Sequence, residues 1–264
     1  MPHVRANGLD IFYREAGQGF PLVLIQGFEM DHRGWAYQVP ALRQHFRCIS
    51  LDNRDAGQSS KAPTSYTTLD MAQDVVGLLD ALHIPQAHIV GHSMGGAIAQ
   101  QVAIHYPQRV SKLVLISSFV FMTPYDRALM EMRRLLRARL SLEEYYRVTF
   151  PWIYSPQDYQ NPSLIEETIR RAAANPNPMP LDAFFRQGEA ILAHDTRRLL
   201  ERITAPTLVV CGDQDLVTPL EQSRLLAQSI PSARLEILSG GGHGILWTRS
   251  DEVNRVLLDF LLHG

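Results

Sequence analysis

Short apolar runs and longer helical patterns alternate along most of the chain. The runs at 22–25, 114–116 and 207–211 are continuous and rich in Val, Leu and Ile, a pattern typical of strands buried on both faces. Residues 9–14 alternate between apolar and polar side chains, as expected for a strand with one exposed face. The apolar runs therefore predict a sheet whose central strands are covered on both sides.

The clearest helical pattern begins after Thr67, which forms a capping-box start signal with Asp70. Apolar residues then recur on one helical face, at Met71, Val75, Leu78, Leu79 and Leu82. Similar pairs of strand and helix occur in both halves of the chain, and this alternation is typical of a mostly parallel sheet flanked by helices. The sequence therefore predicts an α/β fold.

The alternation stops between 119 and 195, where helical patterns and proline-rich breaks occur without a convincing strand. We predict a helical insertion at 119–195 in a core domain formed by residues 1–118 and 196–264. The first helix of the insertion, near 126–140, has an apolar side and an arginine-rich side, which we expect to face solvent. Its arginines are Arg133, Arg134, Arg137 and Arg139.

Composition and charge exclude several classes of protein. Of 264 residues, 45% are hydrophobic and 20% are charged, which excludes disorder and predicts a packed core. Lys and Arg number 25 against 27 Asp and Glu, so no basic surface for nucleic acid or anionic membranes is expected. No apolar stretch approaches the ~18 residues of a membrane span, and the first residues lack the apolar region of a signal peptide. We therefore expect a cytoplasmic protein that acts on a small molecule.

The residues that carry chemistry begin with a serine in a Gly-x-Ser-x-Gly sequence. Ser93 lies between Gly91 and Gly95, directly after the apolar run at 88–90 and before a helical pattern at 96–106. In this context the sequence predicts a nucleophile elbow, a sharp turn that exposes the serine hydroxyl. The turn needs glycines because side chains there would collide with neighbouring backbone. Ser93 is therefore the candidate nucleophile.

A serine hydroxyl needs a general base, usually a histidine that a carboxylate orients. Asp213 and Asp215 follow the run at 207–211, at the carboxyl end of a predicted strand, where open α/β sheets bind ligands. His243 lies in a glycine-rich loop after the last predicted strand. The chain order Ser, Asp, His is that of enzymes with a nucleophile elbow, and either aspartate is a candidate for the acid.

With these three motifs in this order, the sequence resembles the α/β-hydrolase superfamily from its N-terminal strands to its C-terminal helix. The resemblance implies that Ser93 is the nucleophile, that His243 is the general base and acid, and that Asp215 is the orienting acid. The family's acid usually lies in a Gly-x-x-Asp-x-x-x-Pro context, which Gly212 and Pro219 complete here. The resemblance also implies that the helical insertion is a cap, or lid, over the site.

An oxyanion hole of two backbone N–H groups is implied by the same resemblance. These groups belong to Met94, which follows the nucleophile, and to Phe28, in the loop after the third strand. That loop has Gln26 where the family more often has histidine, so an amide must replace the hydrogen bonds of the ring. Three polar residues follow Phe28, and they are Glu29, Asp31 and His32. Their side chains would either face the pocket or be solvated on the loop, and we expect solvation.

These residues predict a serine hydrolase in which His243 takes the proton of Ser93 as it attacks a carbonyl, and water then cleaves the acyl-serine. We predict a carboxylic-ester or lactone hydrolase, with bulky or macrocyclic esters included. The same residues would also serve an enol-lactone or carbon–carbon bond hydrolase, a cofactor-free perhydrolase, a lyase or a triad-retaining small-molecule receptor. No group of residues has metal-ligand spacing and no phosphate-binding loop occurs, so neither metal nor cofactor is expected.

Overall fold

An eight-stranded sheet forms the centre of the molecule. The structure is a computed structural model that describes residues 2–264. The strands are β1 (His3–Ala6), β2 (Leu9–Ala16), β3 (Phe20–Ile25), β4 (Phe46–Leu51), β5 (Ala87–His92), β6 (Val110–Ile116), β7 (Thr207–Gly212) and β8 (Ala233–Leu238). Their order across the sheet is β1-β2-β4-β3-β5-β6-β7-β8. The strand β2 is antiparallel to both of its neighbours, and β3 to β8 are parallel, which confirms the predicted α/β architecture.

Helices cover the sheet and fill one long connection. They are α1 (Val39–Leu42), α2 (Thr68–Ala81), α3 (Met94–His105), α4 (Pro124–Arg137), α5 (Leu142–Ile153), α6 (Pro162–Ala173), α7 (Leu181–Leu192), α8 (Leu220–Ser229), α9 (Ile245–Thr248) and α10 (Ser250–His263). Four of them, α4 to α7, lie between β6 and β7 and are called the inserted helices below. Within residues 2–264, no helix is long and apolar enough to cross a membrane.

Side chains of the central strands alternate between two hydrophobic clusters, one on each face of the sheet. In β3, Val23 and Ile25 belong to the cluster that contains α2 and α3, whereas Leu22 and Leu24 belong to the cluster that contains α10. All four side chains are fully buried. The sheet is therefore covered on both sides, as its continuous apolar runs predict.

The inserted helices are fastened to the core by polar contacts as well as by packing. A backbone bridge pairs Phe121 with Asp195, so the two ends of the inserted segment meet. In α7, Arg186 binds the buried carboxylate of Asp55 with an Nη2–Oδ1 distance of 3.0 Å. These contacts hold the inserted helices against the core loops at the carboxyl ends of the parallel strands.

Candidate active site

Ser93 occupies a sharp turn between β5 and α3. Its backbone has φ 56° and ψ −121°, a conformation that non-glycine residues adopt only where the surroundings enforce it. A Cβ on Gly91 would collide with the backbone of Gly95, and a Cβ on Gly95 would collide with the backbone of Ile25. The flanking glycines are therefore required by close backbone packing, and the sequence around Ser93 forms the predicted elbow.

Asp215 and His243 meet at the carboxyl edge of the sheet, as the sequence predicts. The distance from His243 Nδ1 to Asp215 Oδ2 is 2.8 Å. The other carboxylate oxygen, Oδ1, accepts the backbone N–H groups of Val217 and Thr218, each at 2.8 Å. Both side chains are buried, so these hydrogen bonds fix the carboxylate and with it the orientation of the imidazole ring.

Thr218 is a member of this site that the sequence analysis does not identify. Its hydroxyl donates to Asp215 Oδ2 at 2.9 Å and lies 3.3 Å from His243 Nδ1. A threonine three residues after an aspartate is a recognisable side-chain-to-backbone turn pattern. That pattern predicts the turn, but the contact with His243 depends on a loop 25 residues away.

Asp213, the alternative acid, has a different environment. It is exposed, and its carboxylate accepts the backbone N–H of Gly240 at 2.7 Å and the hydroxyl of Ser239 at 3.2 Å. These bonds join the loop after β7 to the loop after β8. Asp213 thus contacts the loop after β8, and Asp215 is the aspartate that contacts His243.

The imidazole rings of His92 and His243 are neighbours, and His92 directly precedes Ser93. Their ring centroids are 5.1 Å apart, and His92 Nε2 lies 3.3 Å from the backbone oxygen of His243. Burial, and then the neighbouring His243, lower the pKa of His92 to about 3, so His92 is neutral at pH 7. Among the hydrogen bonds of residues 2–264, none joins Ser93 Oγ to His243. In serine hydrolases the hydrogen bond between nucleophile and base often tightens when substrate binds.

The loop after β3 passes directly against Ser93. A Cβ on Gly27 would lie 2.9 Å from Ser93 Cβ, so this loop approaches the elbow as closely as a glycine allows. Gln26 Oε1 accepts the N–H of Gly27 at 3.1 Å, while its Nε2 is buried without a hydrogen-bond partner. The Gln26 amide therefore orders the loop through one of its two polar atoms. Phe28, the candidate oxyanion residue of this loop, is buried beside Ser93, and Met94 begins α3.

Glu29 is buried and bound to the inserted helices, so the expectation that it is solvated is wrong. Its carboxylate accepts hydrogen bonds from Arg133 Nη2 at 2.5 Å and from Tyr145 Oη at 2.9 Å, and Arg137 Nε lies 3.8 Å away. Burial raises the pKa of Glu29, and the charge of Arg133 opposes that effect. Its backbone N–H donates to Gln187 Oε1 at 3.0 Å. Three inserted helices therefore hold the residue that follows Phe28.

The same contacts correct the prediction that the arginine-rich side of α4 faces solvent. The side chains of Arg133 and Arg137 are only 14% and 13% exposed. The physical reason is the buried negative charge of Glu29, which hydrogen-bonds Arg133 and attracts Arg137 at 3.8 Å. Arg133 and Arg137 therefore face the loop after β3, whereas Arg139 is exposed as predicted and Arg134 pairs with the half-exposed Glu189.

Asp31 and His32 are likewise not solvated, and together with Asp52 they form a group of possible metal ligands within 4.8 Å of one another. The ligand atoms are already engaged, because Asp52 Oδ1 lies 2.7 Å from His32 Nδ1. The carboxylate of Asp31 binds the side chain of Arg33. A guanidinium cation beside the group opposes binding of a metal ion, and these contacts are those of a structural network.

A small, partly open cavity of about 40 Å³ lies between Ser93 and the inserted helices. Most of its wall is apolar, formed by Phe28, Phe119, Met122, Leu129, Met130, Ile191 and Val217. Its polar side chains are Ser93, Asp126, Arg133 and Thr218. An apolar wall with a few polar groups is typical of a small-molecule site.

Comparison with known proteins gives the same architecture over the whole chain. The sequence profile of the α/β hydrolase fold matches residues 21–250. RutD of Yersinia enterocolitica, to which carbamate hydrolysis is provisionally assigned, is 34% identical over 259 residues, which cover 96% of this chain and 92% of the relative.

Two solved structures are similar in fold and sequence. The enol-lactonase of Burkholderia xenovorans LB400 superposes with a TM-score of 0.89 and 28% identity, covering 98% of this chain and 99% of the other. Est816, described as an N-acyl homoserine lactone degrading enzyme, superposes with a TM-score of 0.85 and 31% identity, covering 98% of this chain and 100% of the other. The chain therefore belongs to the α/β-hydrolase superfamily and is a hydrolase.

Proposed function

We propose that the protein hydrolyses a carboxylic ester or a lactone through an acyl-serine intermediate. The observation that supports this most directly is the buried hydrogen bond of 2.8 Å between His243 Nδ1 and Asp215, beside Ser93 on its elbow. That bond leaves the Nε2 atom of His243 available as the base. The pair can accept the Ser93 proton, return it to the leaving group and then activate water.

The developing oxyanion would be stabilised by the N–H groups of Met94 and Phe28. Met94 is the first residue of α3, and the first N–H groups of a helix have no partner within the helix. The helix N-terminus also carries a partial positive charge, which favours an anion. The contacts that hold Glu29 support the position of the second donor, because they fix the peptide next to Phe28.

We further propose that residues 119–195 act as a cap over the site, on a core of 1–118 and 196–264. The inserted helices contribute Met130 and Ile191 to the cavity wall, whereas the core contributes Ser93. A substrate in the cavity would therefore be enclosed between the two parts. Residues from the cap would select the substrate, and residues from the core would react with it.

The choice of ester or lactone is supported by the site and by similar enzymes. The mainly apolar wall suits the carbon chain of an ester or a lactone, and two similar structures are named a lactonase and a lactone-degrading enzyme. A carbamate is the second candidate, because RutD is 34% identical. Its hydrolysis would use the same nucleophile, base and oxyanion donors.

Hydrolysis of a panel of esters, lactones and carbamates tests the proposal, with Ser93→Ala as the key variant. We expect turnover of at least one ester or lactone and loss of kcat on the order of 10⁶ in the variant. Ser163→Ala, at an exposed position of α6, is the matched control and should retain full activity. Turnover that survives Ser93→Ala would contradict acyl-serine chemistry, and turnover of carbamates alone would favour the second candidate.

A further inference from the structure

Asp126 lines the cavity that contains Ser93 and has a buried carboxylate oxygen without a hydrogen-bond partner. The residue is 6% exposed. Its Oδ2 atom accepts the backbone N–H of Thr123 at 2.9 Å and the Thr123 hydroxyl at 2.7 Å. Its Oδ1 atom has no hydrogen bond. Of the buried side-chain polar atoms without partners in residues 2–264, it alone belongs to a residue that lines this cavity.

No neighbouring charge compensates this carboxylate. Arg133 also lines the cavity, but it lies two helical turns further along α4, at a rise of roughly 10 Å, and its guanidinium is bound to Glu29. Among the ion pairs of residues 2–264, none includes Asp126. The N-terminus of α4 stabilises negative charge at this position, but it does not supply a hydrogen-bond donor to Oδ1.

A buried carboxylate oxygen beside apolar side chains is costly unless a donor reaches it. The neighbours of Asp126 in the cavity wall include Met122 and Leu129, which have no N–H or O–H group in their side chains. A substrate bound in the cavity could therefore supply the hydrogen-bond donor that Asp126 Oδ1 lacks.

We propose that Asp126 Oδ1 is a substrate-binding acceptor, which takes a hydrogen bond from an N–H or O–H group of the substrate. The protein would then prefer, among esters and lactones, those that carry such a donor a few atoms from the scissile carbonyl. This inference rests on the proposed acyl-serine hydrolysis. Asp126 acts here on specificity, because a substrate without the donor leaves the carboxylate oxygen unpaired.

Matched substrates isolate this hydrogen bond. We would use 4-nitrophenyl esters of N-acetylated ω-amino acids of increasing chain length, each beside its N-methyl counterpart, which has no N–H group. A plain alkanoate ester of similar length serves as the reference. In the wild type, the N–H ester of the best chain length should exceed its N-methyl partner in kcat/KM by about 10- to 100-fold.

The variant Asp126→Asn tests the residue with little change of shape. Its amide oxygen can retain both bonds to Thr123, while its NH₂ group takes the position of Oδ1 and turns an acceptor into a donor. The preference for N–H esters over their N-methyl partners should fall to about one or reverse. This ratio is taken within each protein, so a change in the rate on the alkanoate ester does not affect it.

Asp158→Asn is the matched control. Asp158 is also 6% exposed, and its carboxylate accepts the N–H and the hydroxyl of Ser155, both at 2.9 Å. It repeats the local contacts of Asp126 but does not line the cavity. This variant should keep the wild-type preference, and thermal unfolding of both variants verifies that they are folded.

Equal rates on N–H and N-methyl esters in the wild type, or a preference that survives Asp126→Asn, would overturn the inference. The first result would mean that no donor of the substrate reaches Oδ1. Failure of the proposed function looks different, because no ester, the alkanoate included, would then show turnover that depends on Ser93. Calorimetric binding of the free N-acetylated and N-methylated acids to Ser93→Ala measures the same preference without catalysis and should reproduce it.

Discussion

At the scale of single residues, Asp213 and Asp215 allow a direct test of the candidate acid. Asp215→Asn removes the negative charge that His243 Nδ1 contacts at 2.8 Å, and we expect kcat to fall by about 10⁴. Asp213→Asn removes a carboxylate that binds only the Ser239–Gly240 loop, and kcat should stay within about threefold. Steady-state kinetics on the best ester measures both, and the reverse order of effects would exclude Asp215 as the acid.

The site residues whose positions the sequence could predict are those that belong to a local motif. Ser93 lies in a Gly-x-Ser-x-Gly turn, and Asp215 follows a strand in a Gly-x-x-Asp-x-x-x-Pro sequence. The contacts of Thr218 and Glu29 were not predicted, because their hydrogen-bond partners are distant in sequence. The hydroxyl of Tyr145, for example, reaches Glu29 across 116 positions.

At the scale of elements, the Glu29 contacts join the inserted helices to the loop after β3. Glu29→Gln would leave the buried guanidinium of Arg133 without its counter-charge, so we expect the free energy of unfolding to fall by about 3 kcal/mol. We also expect kcat to fall about 10-fold, less than the ~100-fold effect of removing an oxyanion donor. Chemical denaturation and ester kinetics measure these effects.

Glu15→Gln is the control for that change. Glu15 pairs with Arg47 in a half-exposed contact at 2.9 Å, and an exposed pair of this kind contributes less than about 1 kcal/mol. An equal loss of stability in both variants would argue against a special role of the buried Glu29.

Helices with strong local signals were predicted, but the surroundings of their polar sides were not. The capping box predicted for α2 is present, with the Thr67 N–H donating to Asp70 Oδ2 at 2.7 Å. The helix α4 also forms, but the prediction chose the wrong surroundings for Arg133 and Arg137. Amphipathicity shows that a helix has an apolar and a polar side. Only the tertiary fold decides whether the polar side faces solvent or a buried acidic residue.

At the scale of the whole molecule, buried histidines predict a loss of stability in acid. Burial lowers the pKa of His88 and His194 to about 4 and that of His92 to about 3, below the ~6.5 of an unfolded chain. The unfolded state therefore binds more protons in this range, so the free energy of unfolding falls as the pH drops below about 6.5. Each histidine contributes on the order of 2 kcal/mol between pH 7 and pH 5.

His194→Gln tests this dependence away from the candidate active site. Its unfolding free energy should change less between pH 7 and pH 5 than that of the wild type, by roughly the contribution of one histidine. His45→Gln, at an exposed position, should leave the wild-type slope unchanged. If the unfolding free energy of all three proteins changes equally between the two pH values, His194 does not contribute to the acid sensitivity.

The layered architecture followed from the sequence, whereas the order of the strands did not. Alternating strand and helix patterns predict a parallel sheet between helices, because each run must be buried on both faces. In the structure β4 lies between β2 and β3, an arrangement that apolar runs do not encode. It depends on how the connections cross the faces of the sheet.

The small cavity beside Ser93 has a consequence for the kinetics of capture. Its volume of about 40 Å³ accommodates about one water molecule and is far below the ~300–1,000 Å³ of a typical ligand site. Tyr125 Oη donates to the Leu216 carbonyl oxygen at 3.1 Å, a bond between α4 and the loop that carries Asp215. A substrate larger than water needs more room than this volume, and separation of these two segments would supply it. Where that separation limits capture, its frequency sets the second-order rate at low substrate concentration. Two esters of similar size and unequal chemical reactivity would then be captured at nearly the same rate, and more slowly in a viscous solvent.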